Sequence, residues 1–344
     1  MKKILVTGGA GYIGSHTVVD LVLNGFQVHI CDNFNNSSPK AVHAVEKILG
    51  VNIPLTKLDL KDKSAVGNMF EHGDFDGVIH FAGLKAVGES TSKPLAYYEN
   101  NLLSTLNLLD ACKKYNVQNF VFSSSATVYS DPAVVAYDEE TTKTGKASSP
   151  YGTSKLEQEW ILEDCVNGAE FPAGLRVVSL RYFNPIGAHS SSMIGEDPRG
   201  IPNNLAPFIT QVMVGRREFL SVFGGDYATE DGTCIRDYIH VTDLARGHRL
   251  ALEYIEKQPE NSMEYINLGS GKGSSVLEVL HAFEATYGKS IPYKIVSRRP
   301  GDLPEFYAKT EKAQRLLNFK TEYSLDDMAR DSWNWQKSNP NGFE

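Results

Sequence analysis

The sequence predicts an α/β protein: a doubly wound parallel sheet with helices on both faces, followed by a smaller C-terminal α/β unit. Three observations predict it. Short apolar runs alternate with helical patterns as far as residue 181, a glycine-rich turn follows the first run, and the pattern breaks over 184–203. Strand–helix alternation at this spacing builds βαβ units, which assemble into a parallel sheet.

The predicted strands cover residues 3–7, 27–32, 53–59, 77–81, 119–124 and 176–181. Helical patterns fall between them, near 12–24, 40–50, 62–72, 95–116 and 151–166. In such sheets the ligand crevice lies at the carboxyl ends of the strands. Thr7, Asp32, Asp59, Phe81, Ser124 and Arg181 occupy those ends. Over 184–203 prolines and glycines recur with almost no apolar periodicity, which reads as a long functional loop or a boundary. Helices resume near 204–216, 241–257, 275–287 and 324–337, and Ser275 with Glu278 forms a candidate capping box. This second part is too broken for another doubly wound unit and reads as a cap over the first.

Composition narrows the function. The 344 residues are 41% hydrophobic, 22% charged and 10% aromatic, which excludes a disordered chain. A formal net charge of -8 argues against a nucleic-acid partner, because phosphate backbones demand a basic surface. Cys31, Cys112, Cys165 and Cys234 stand apart, with no CxxC pair, and the nine histidines show no HxH or HExxH pattern. We therefore expect no metal site and no disulfide, and a reducing compartment. The apolar run after Met1-Lys2-Lys3 is too short for a signal peptide, and no stretch approaches a membrane span. The expectation is a cytoplasmic protein with no membrane partner.

The turn Gly8-Gly9-Ala10-Gly11-Tyr12-Ile13-Gly14 links the first strand to the first helix. Glycines there let the backbone turn sharply and approach a pyrophosphate seated on the helix N-terminus. The spacing is G-x-x-G-x-x-G, so alone it reads equally as a plain turn. Strand, helix and a following acidic residue supply the Rossmann-type context. That residue, Asp32, closes the second strand, where a carboxylate accepts ribose hydroxyls and repels a 2′-phosphate. Residues 33–39 contain no Arg or Lys, so NAD is favoured over NADP.

Tyr151-Gly152-Thr153-Ser154-Lys155 opens a helix, and positions four apart share a face. A free tyrosine titrates near pH 10, and an adjacent ammonium favours its phenolate, which can accept a proton from a substrate hydroxyl. Ser123, Ser124 and Ser125 end the fifth strand, and a hydroxyl from any of them could assist. Arg236, Arg298 and Arg299 could hold phosphates, although spacing alone reads each as an ordinary salt-bridged surface arginine. His80 reads as a buried strand residue.

The runs GGAGYIG, HFAGLKAVGES at 80–90, FSSSATVY at 122–129, SPYGTSK at 149–155, RYFNPIGAH, GEDPRGIPNNL and RDYIHVTDLARGH follow one another along the chain. In this the sequence resembles the extended short-chain dehydrogenase/reductases and, within them, the UDP-glucose 4-epimerase family from end to end. The resemblance implies interconversion of UDP-glucose and UDP-galactose through a transient 4-keto sugar, with tightly bound NAD, in a homodimer built on the helices at 95–116 and 151–166. It implies NAD contacts at Gly8, Gly11, Tyr12, Ile13, Gly14, Asp32, Asn33, Phe34, Asn35, Asn36, Ser37, Asp59, Leu60, Phe81, Ala82, Gly83, Leu84, Lys85, Asn100, Ser125, Tyr151, Lys155 and Phe183. It makes Tyr151 the catalytic base, Ser125 its hydroxyl partner and Lys155 the residue that holds the nicotinamide ribose.

For the UDP-sugar the resemblance implies Lys85, Ser125, Tyr151, Asn184, Asn204, Leu205, Ser221, Val222, Phe223, Arg236, Arg299, Pro300, Gly301 and Asp302, with Phe306 at the family's substrate-gating position. Phenylalanine there keeps the bulk of the tyrosine found in many bacterial members and loses its hydroxyl. Ser130 stands where the family usually has glycine. The implied organisation is an NAD unit over 1–183, with 236–262 returning to it, and a UDP-sugar unit over 184–235 and 263–344. The competing reading is a nucleotide-sugar 4,6-dehydratase. Dehydratases carry an Asp-Glu pair after the strand-end hydroxyl, and here Ala126 and Thr127 follow Ser125.

Overall fold

Ile4, Leu5, Val6, Val78, Ile79, Phe120, Val121 and Phe122 are all fully buried. Strands covered on both faces require helices on both sides, which a parallel sheet with crossover helices supplies. The computed structural model describes residues 1–129, 135–140, 147–299 and 302–343. Along the chain come β1 (Lys3–Thr7), α1 (Tyr12–Leu23), β2 (Gln27–Asp32), α2 (Pro39–Leu49), β3 (Leu55–Lys57), α3 (Lys63–Glu71) and β4 (Gly77–His80). Next are α4 (Val87–Ser92), α5 (Pro94–Lys114), β5 (Asn119–Ser123), β6 (Ala136–Tyr137), α6 (Pro150–Asn167) and β7 (Arg176–Tyr182). The remainder holds β8 (Asn184–Ile186), α7 (Leu205–Met213), β9 (Leu220–Phe223), β10 (Ile235–His240), α8 (Val241–Ile255) and β11 (Ser262–Leu268). It ends with β12 (Gly273–Ser275), α9 (Val276–Tyr287), β13 (Tyr293–Val296), β14 (Glu305–Ala308), α10 (Glu311–Leu317) and α11 (Leu325–Ser338).

Seven parallel strands form the large sheet in the order β11-β7-β5-β4-β1-β2-β3. The chain winds outward in both directions from the β1/β4 pair, so the crevice lies above that switch point. One apolar core gathers under α1, α2 and α8, the other under α3, α5 and α6. β12, β10, β14 and β6 form a smaller sheet to which β8 pairs through β10, and β9 pairs with β13. α7, α9 and α11 bury a third core against these strands. Ser149 caps α6 by accepting from Gly152, with Pro150 at the first helical position. Ser275 and Glu278 cap α9 reciprocally.

The differences from the predicted elements have local causes. β3 is three residues long and not seven, because Pro54 offers no N–H to its neighbour. β4 and β5 stop one residue before Phe81 and Ser124, leaving both in the turns above the sheet. β11 joins the outer edge of the large sheet, although Ser262 to Tyr265 are only half-buried and give no strong strand signal. The chain returns to the large sheet through α8 and β11, as far as Leu268, whereas β10 pairs only within the smaller sheet. The short strands of the second unit and helices α4 and α10 carry too little periodicity to be read from sequence. No helix among the described residues is long and apolar enough to cross a membrane.

Candidate active site

The glycine turn packs where side chains would collide. Gly8 has φ +69°, and a Cβ on it would lie 2.8 Å from the Ala82 nitrogen. A Cβ on Gly14 would stand 2.2 Å from the Gly8 carbonyl oxygen. Gly11, the N-cap of α1, supplies no side-chain cap, and the first turn holds no acidic residue. A helix N-terminus with bare amides and no carboxylate suits a pyrophosphate. The residues present therefore fit a dinucleotide. Tyr12 in the same turn donates to the Gly187 carbonyl at 2.7 Å.

Asp32 organises the second side of this turn. One carboxylate oxygen accepts the Ala10 amide at 3.0 Å, and the other accepts the Phe34 amide at 2.9 Å and the Ser37 hydroxyl at 2.7 Å. Phe34 takes a left-handed conformation, φ 59°, so the chain from Asn33 to Ser37 curls over Asp32. Asn33 reaches Asp59 at 3.5 Å. Arg199, from the loop after β8, forks onto the carbonyls of Asn35 and Ser37 at 2.9 and 2.8 Å. Nothing in the local sequence around Asp32 announces this arginine, which comes from more than 160 positions away.

The turn after β4 is pinned by Asn101, a fully buried residue beside Asn100. Asn101 accepts from the Leu84 amide at 2.8 Å, donates to the Leu84 carbonyl at 3.1 Å and donates to the Ser154 hydroxyl at 3.0 Å. A Cβ on Gly83 would lie 3.9 Å from Lys155 Nζ, so the 81–85 segment runs directly over the lysine. His80 is fully buried between Thr7 and Thr105, at 2.8 and 3.0 Å, and burial drives its pKa down to about 3.

Tyr151, Lys155 and Ser125 converge at the α6/β5 junction, all buried. The Ser125 hydroxyl accepts the Thr127 amide at 3.2 Å and the Thr127 hydroxyl at 2.9 Å, and it lies beside the Tyr151 phenol. Lys155 Nζ donates to the Ser123 carbonyl at 2.9 Å and sits 4.7 Å from the centre of the Phe122 ring. The ambiguity of the serine triplet is resolved by partners: Ser123 Oγ meets the Tyr182 phenol at 2.8 Å, and Ser124 donates to Glu159 at 2.8 Å. Burial, then the neighbouring Tyr182, push the Tyr151 phenol above its ordinary value, and only Ser125 lowers it. That is opposite to the effect expected of an adjacent ammonium: desolvation dominates, and the Lys155 charge has no part in the shift. Burial likewise drives Lys155 down to about 7, against the pull of Glu159.

The residues expected at the UDP-sugar fall into three groups. Arg236 pairs with Asp302 at 2.9 Å, and Arg299 stacks 4.0 Å over the Phe223 ring, which follows Ser221 and Val222 on β9. Arg298 binds Asp226 and is the ordinary surface pair that spacing suggests. Lys85 and Asn204 both meet Glu196, at 3.3 and 2.7 Å, with Leu205 opening α7 beside them. Asn184 donates to the Asp237 carbonyl at 3.1 Å. Phe306 lies with its ring 5.1 Å from Phe183 and 4.7 Å from Tyr137, in a cluster that includes Ala126, next to Ser125. Tyr307 points instead toward Gly273. Pro300, Gly301 and Ser130 lie outside the described residues. Leu60 is buried in the core, its carbonyl accepting from Asn107 at 2.8 Å.

Comparison with known proteins gives the family. A family model described as GDP-mannose 4,6 dehydratase matches residues 5–332. The chain is 52% identical to a UDP-glucose 4-epimerase of Cyamopsis tetragonoloba, over 99% of this chain and 97% of that protein. It is 49% identical to the UDP-glucose 4-epimerase of Mus musculus, over 100% of this chain and 99% of that one. The crystal structure of UDP-glucose 4-epimerase from Bifidobacterium longum in complex with NAD+ and UDP superposes with a TM-score of 0.94 at 49% identity, covering 99% and 100% of the two chains. The dehydratase model spans the common fold, but the full-length relatives near 50% identity are epimerases, and the Asp-Glu pair of a dehydratase is missing after Ser125. On these grounds the chain belongs to the UDP-glucose 4-epimerase family.

Proposed function

We propose that this protein interconverts UDP-glucose and UDP-galactose, with NAD as a resident cofactor. The observation that carries the reading is the convergence of buried Tyr151, Lys155 and Ser125 where α6 meets the end of β5, with Lys155 donating to the Ser123 carbonyl at 2.9 Å. NAD, when bound, supplies the acceptor and later the donor of one hydride at the sugar's C4. The bare amides of α1 would hold its pyrophosphate, the Asp32 carboxylate one ribose and Lys155 the other. Tyr151 takes the proton of the 4′-hydroxyl and returns it once the 4-keto sugar has presented its other face. Ser125, beside the phenol, favours the phenolate.

The sugar must turn while UDP stays fixed. Arg236 and Arg299 are assigned to the nucleotide, and the aromatic surface of Phe306 and Phe183 to the sugar, where weak contacts permit rotation. We assign residues 1–183, with α8 and β11, to the cofactor and the remaining residues to the UDP-sugar. We also infer a homodimer through α5 and α6, whose Leu103, Leu106 and Trp160 remain exposed, and a cytoplasmic setting in keeping with four free cysteines. Sedimentation of the wild type against Leu106→Glu tests the dimer.

The Tyr151→Phe variant tests the chemistry. It keeps the ring and removes the proton acceptor, so kcat should fall by about 100-fold or more while the purified protein still carries NAD. A loss of only a few-fold would remove Tyr151 from the role of base.

A further inference from the structure

α6 presents three polar residues on one face at intervals of four: Tyr151, Lys155 and Glu159. Opposite them lie three consecutive residues at the end of β5. Ser123 accepts Lys155 through its carbonyl, Ser124 donates its hydroxyl to Glu159, and Ser125 lies beside the Tyr151 phenol. Consecutive strand residues face opposite ways, so three can address one helix only where the strand ends and the chain turns. β5 ends at Ser123, and Ser125 opens the single 3-10 turn that follows.

Glu159 is the fixed member of this set. Arg181 at the end of β7 grips its carboxylate through Nε and Nη2, both at 2.9 Å, and Ser179 donates to the same oxygen as Ser124, at 2.8 Å. The guanidinium is itself held between the rings of Tyr129 and Tyr265, 5.1 and 4.5 Å from their centres. Ser124, Glu159, Ser179 and Arg181 are all fully buried. A buried ion pair is a weak stabiliser, because apolar residues of equal volume would fill the space as well. It does, however, permit only one alignment of its partners.

We propose that Glu159 is a positioning residue of the reaction: through Ser124 it sets the register of α6 against the end of β5, and so places Tyr151 and Lys155 against their serine partners. The inference rests on the assignment of Tyr151 and Lys155 made above. An error of about 1 Å between reacting groups costs on the order of 100-fold in rate, so a register clamp has large leverage.

Glu159→Gln is the direct variant, but it strands the Arg181 charge and can unfold the protein. Two alanine variants form the decisive pair. Ser124→Ala and Ser179→Ala each remove one 2.8 Å bond from the same carboxylate oxygen at a fully buried site. Only Ser124 adjoins Ser125. If the network merely stabilises the fold, both variants lose activity and unfolding midpoint alike. If it positions α6, both lower the midpoint alike. Ser124→Ala then lowers kcat about 10-fold with KM for UDP-glucose unchanged, and Ser179→Ala keeps kcat within about 2-fold.

Equal kcat losses, a wild-type kcat in Ser124→Ala, or an effect on KM alone would overturn the proposal. So would failure of Ser124→Ala to fold where Ser179→Ala folds, since Ser124 would then hold the fold and not the site. The comparison is internal to the serine pair. An active Tyr151→Phe would instead overturn the base assignment, and the two failures are distinguishable.

Discussion

Lys155→Met should stabilise the cofactor-stripped protein at neutral pH while it inactivates the enzyme. Burial holds the ammonium down from its ordinary value of 10.5 to about 7. At about 1.36 kcal/mol per pH unit, that corresponds to roughly 5 kcal/mol of stability lost by enclosing the charge. Methionine has similar length, no charge and a flexible chain that fits a partly apolar slot. The substitution also forfeits the 2.9 Å bond to the Ser123 carbonyl and the place over the Phe122 ring, each about 1 kcal/mol. The net expectation is a gain of about 3 kcal/mol.

The pH dependence identifies the cause. Below pH 7 the lysine is charged in both folded and unfolded chains, and the full penalty applies. Between about 7 and 10.5 the unfolded chain binds the extra proton, so wild-type stability rises with pH. Above that window neither state is charged and the penalty is gone. Urea unfolding of both proteins from pH 6 to pH 10 should therefore show the methionine variant ahead by about 3 kcal/mol at the acid end, with the gain falling through zero near pH 9 and reversing by pH 10. A methionine variant already destabilised at pH 6 to 7, or a difference that does not change with pH, would refute the reasoning.

Three further outcomes follow from the same geometry. Gly14→Ala puts a methyl 2.2 Å from the Gly8 carbonyl oxygen, so the turn must open; stability should drop by about 2 kcal/mol and the protein should purify without NAD, read from its absorbance spectrum. Arg199→Ala frees the carbonyls of Asn35 and Ser37 and should speed release of bound NAD about 10-fold in a chase with labelled NAD, with kcat at saturating NAD unchanged. Phe306→Cys should admit UDP-N-acetylglucosamine, which the wild type should turn over poorly, at about 2 kcal/mol in stability from the emptied space beside Phe183; steady-state rates on both sugar nucleotides check it.

The parts of the site legible in the sequence are those whose meaning is local. The glycines, Asp32 and the Tyr151/Lys155 spacing each declare a conformation or a shared face within a few residues. Phe306 is legible only through the family resemblance, and its packing against Phe183 and Tyr137 comes from the structure. Glu159, Asn101 and Arg199 escape sequence reasoning for a common reason. Each is one polar residue in an ordinary helix or loop, and its role comes from partners 17 to 164 positions away. Glu159 stands eight residues after Tyr151, so its place on the helix face can be read. Its burial against Ser124, Ser179 and Arg181 depends on the end of β5 and β7 meeting α6 there. The direction of the Tyr151 shift is likewise a property of enclosure, which no spacing reports.

The loop between β8 and α7 shows why the cofactor and substrate units cannot act independently. Gly187 receives the Tyr12 phenol from the glycine turn, Arg199 holds the curl over Asp32, and Glu196 bonds both Lys85 and Asn204. One segment thus touches the glycine turn, the curl over Asp32 and the turn at Lys85, and it ends at α7. A reaction that lends a hydride and takes it back from the same sugar gains nothing from cofactor exchange, and loses a turnover whenever the cofactor escapes midway. Anchoring the cofactor's loops from the substrate side is a direct way to slow that escape. Opening the cofactor site would require breaking Arg199 and Tyr12 contacts together, so their effects on release should exceed what either gives alone.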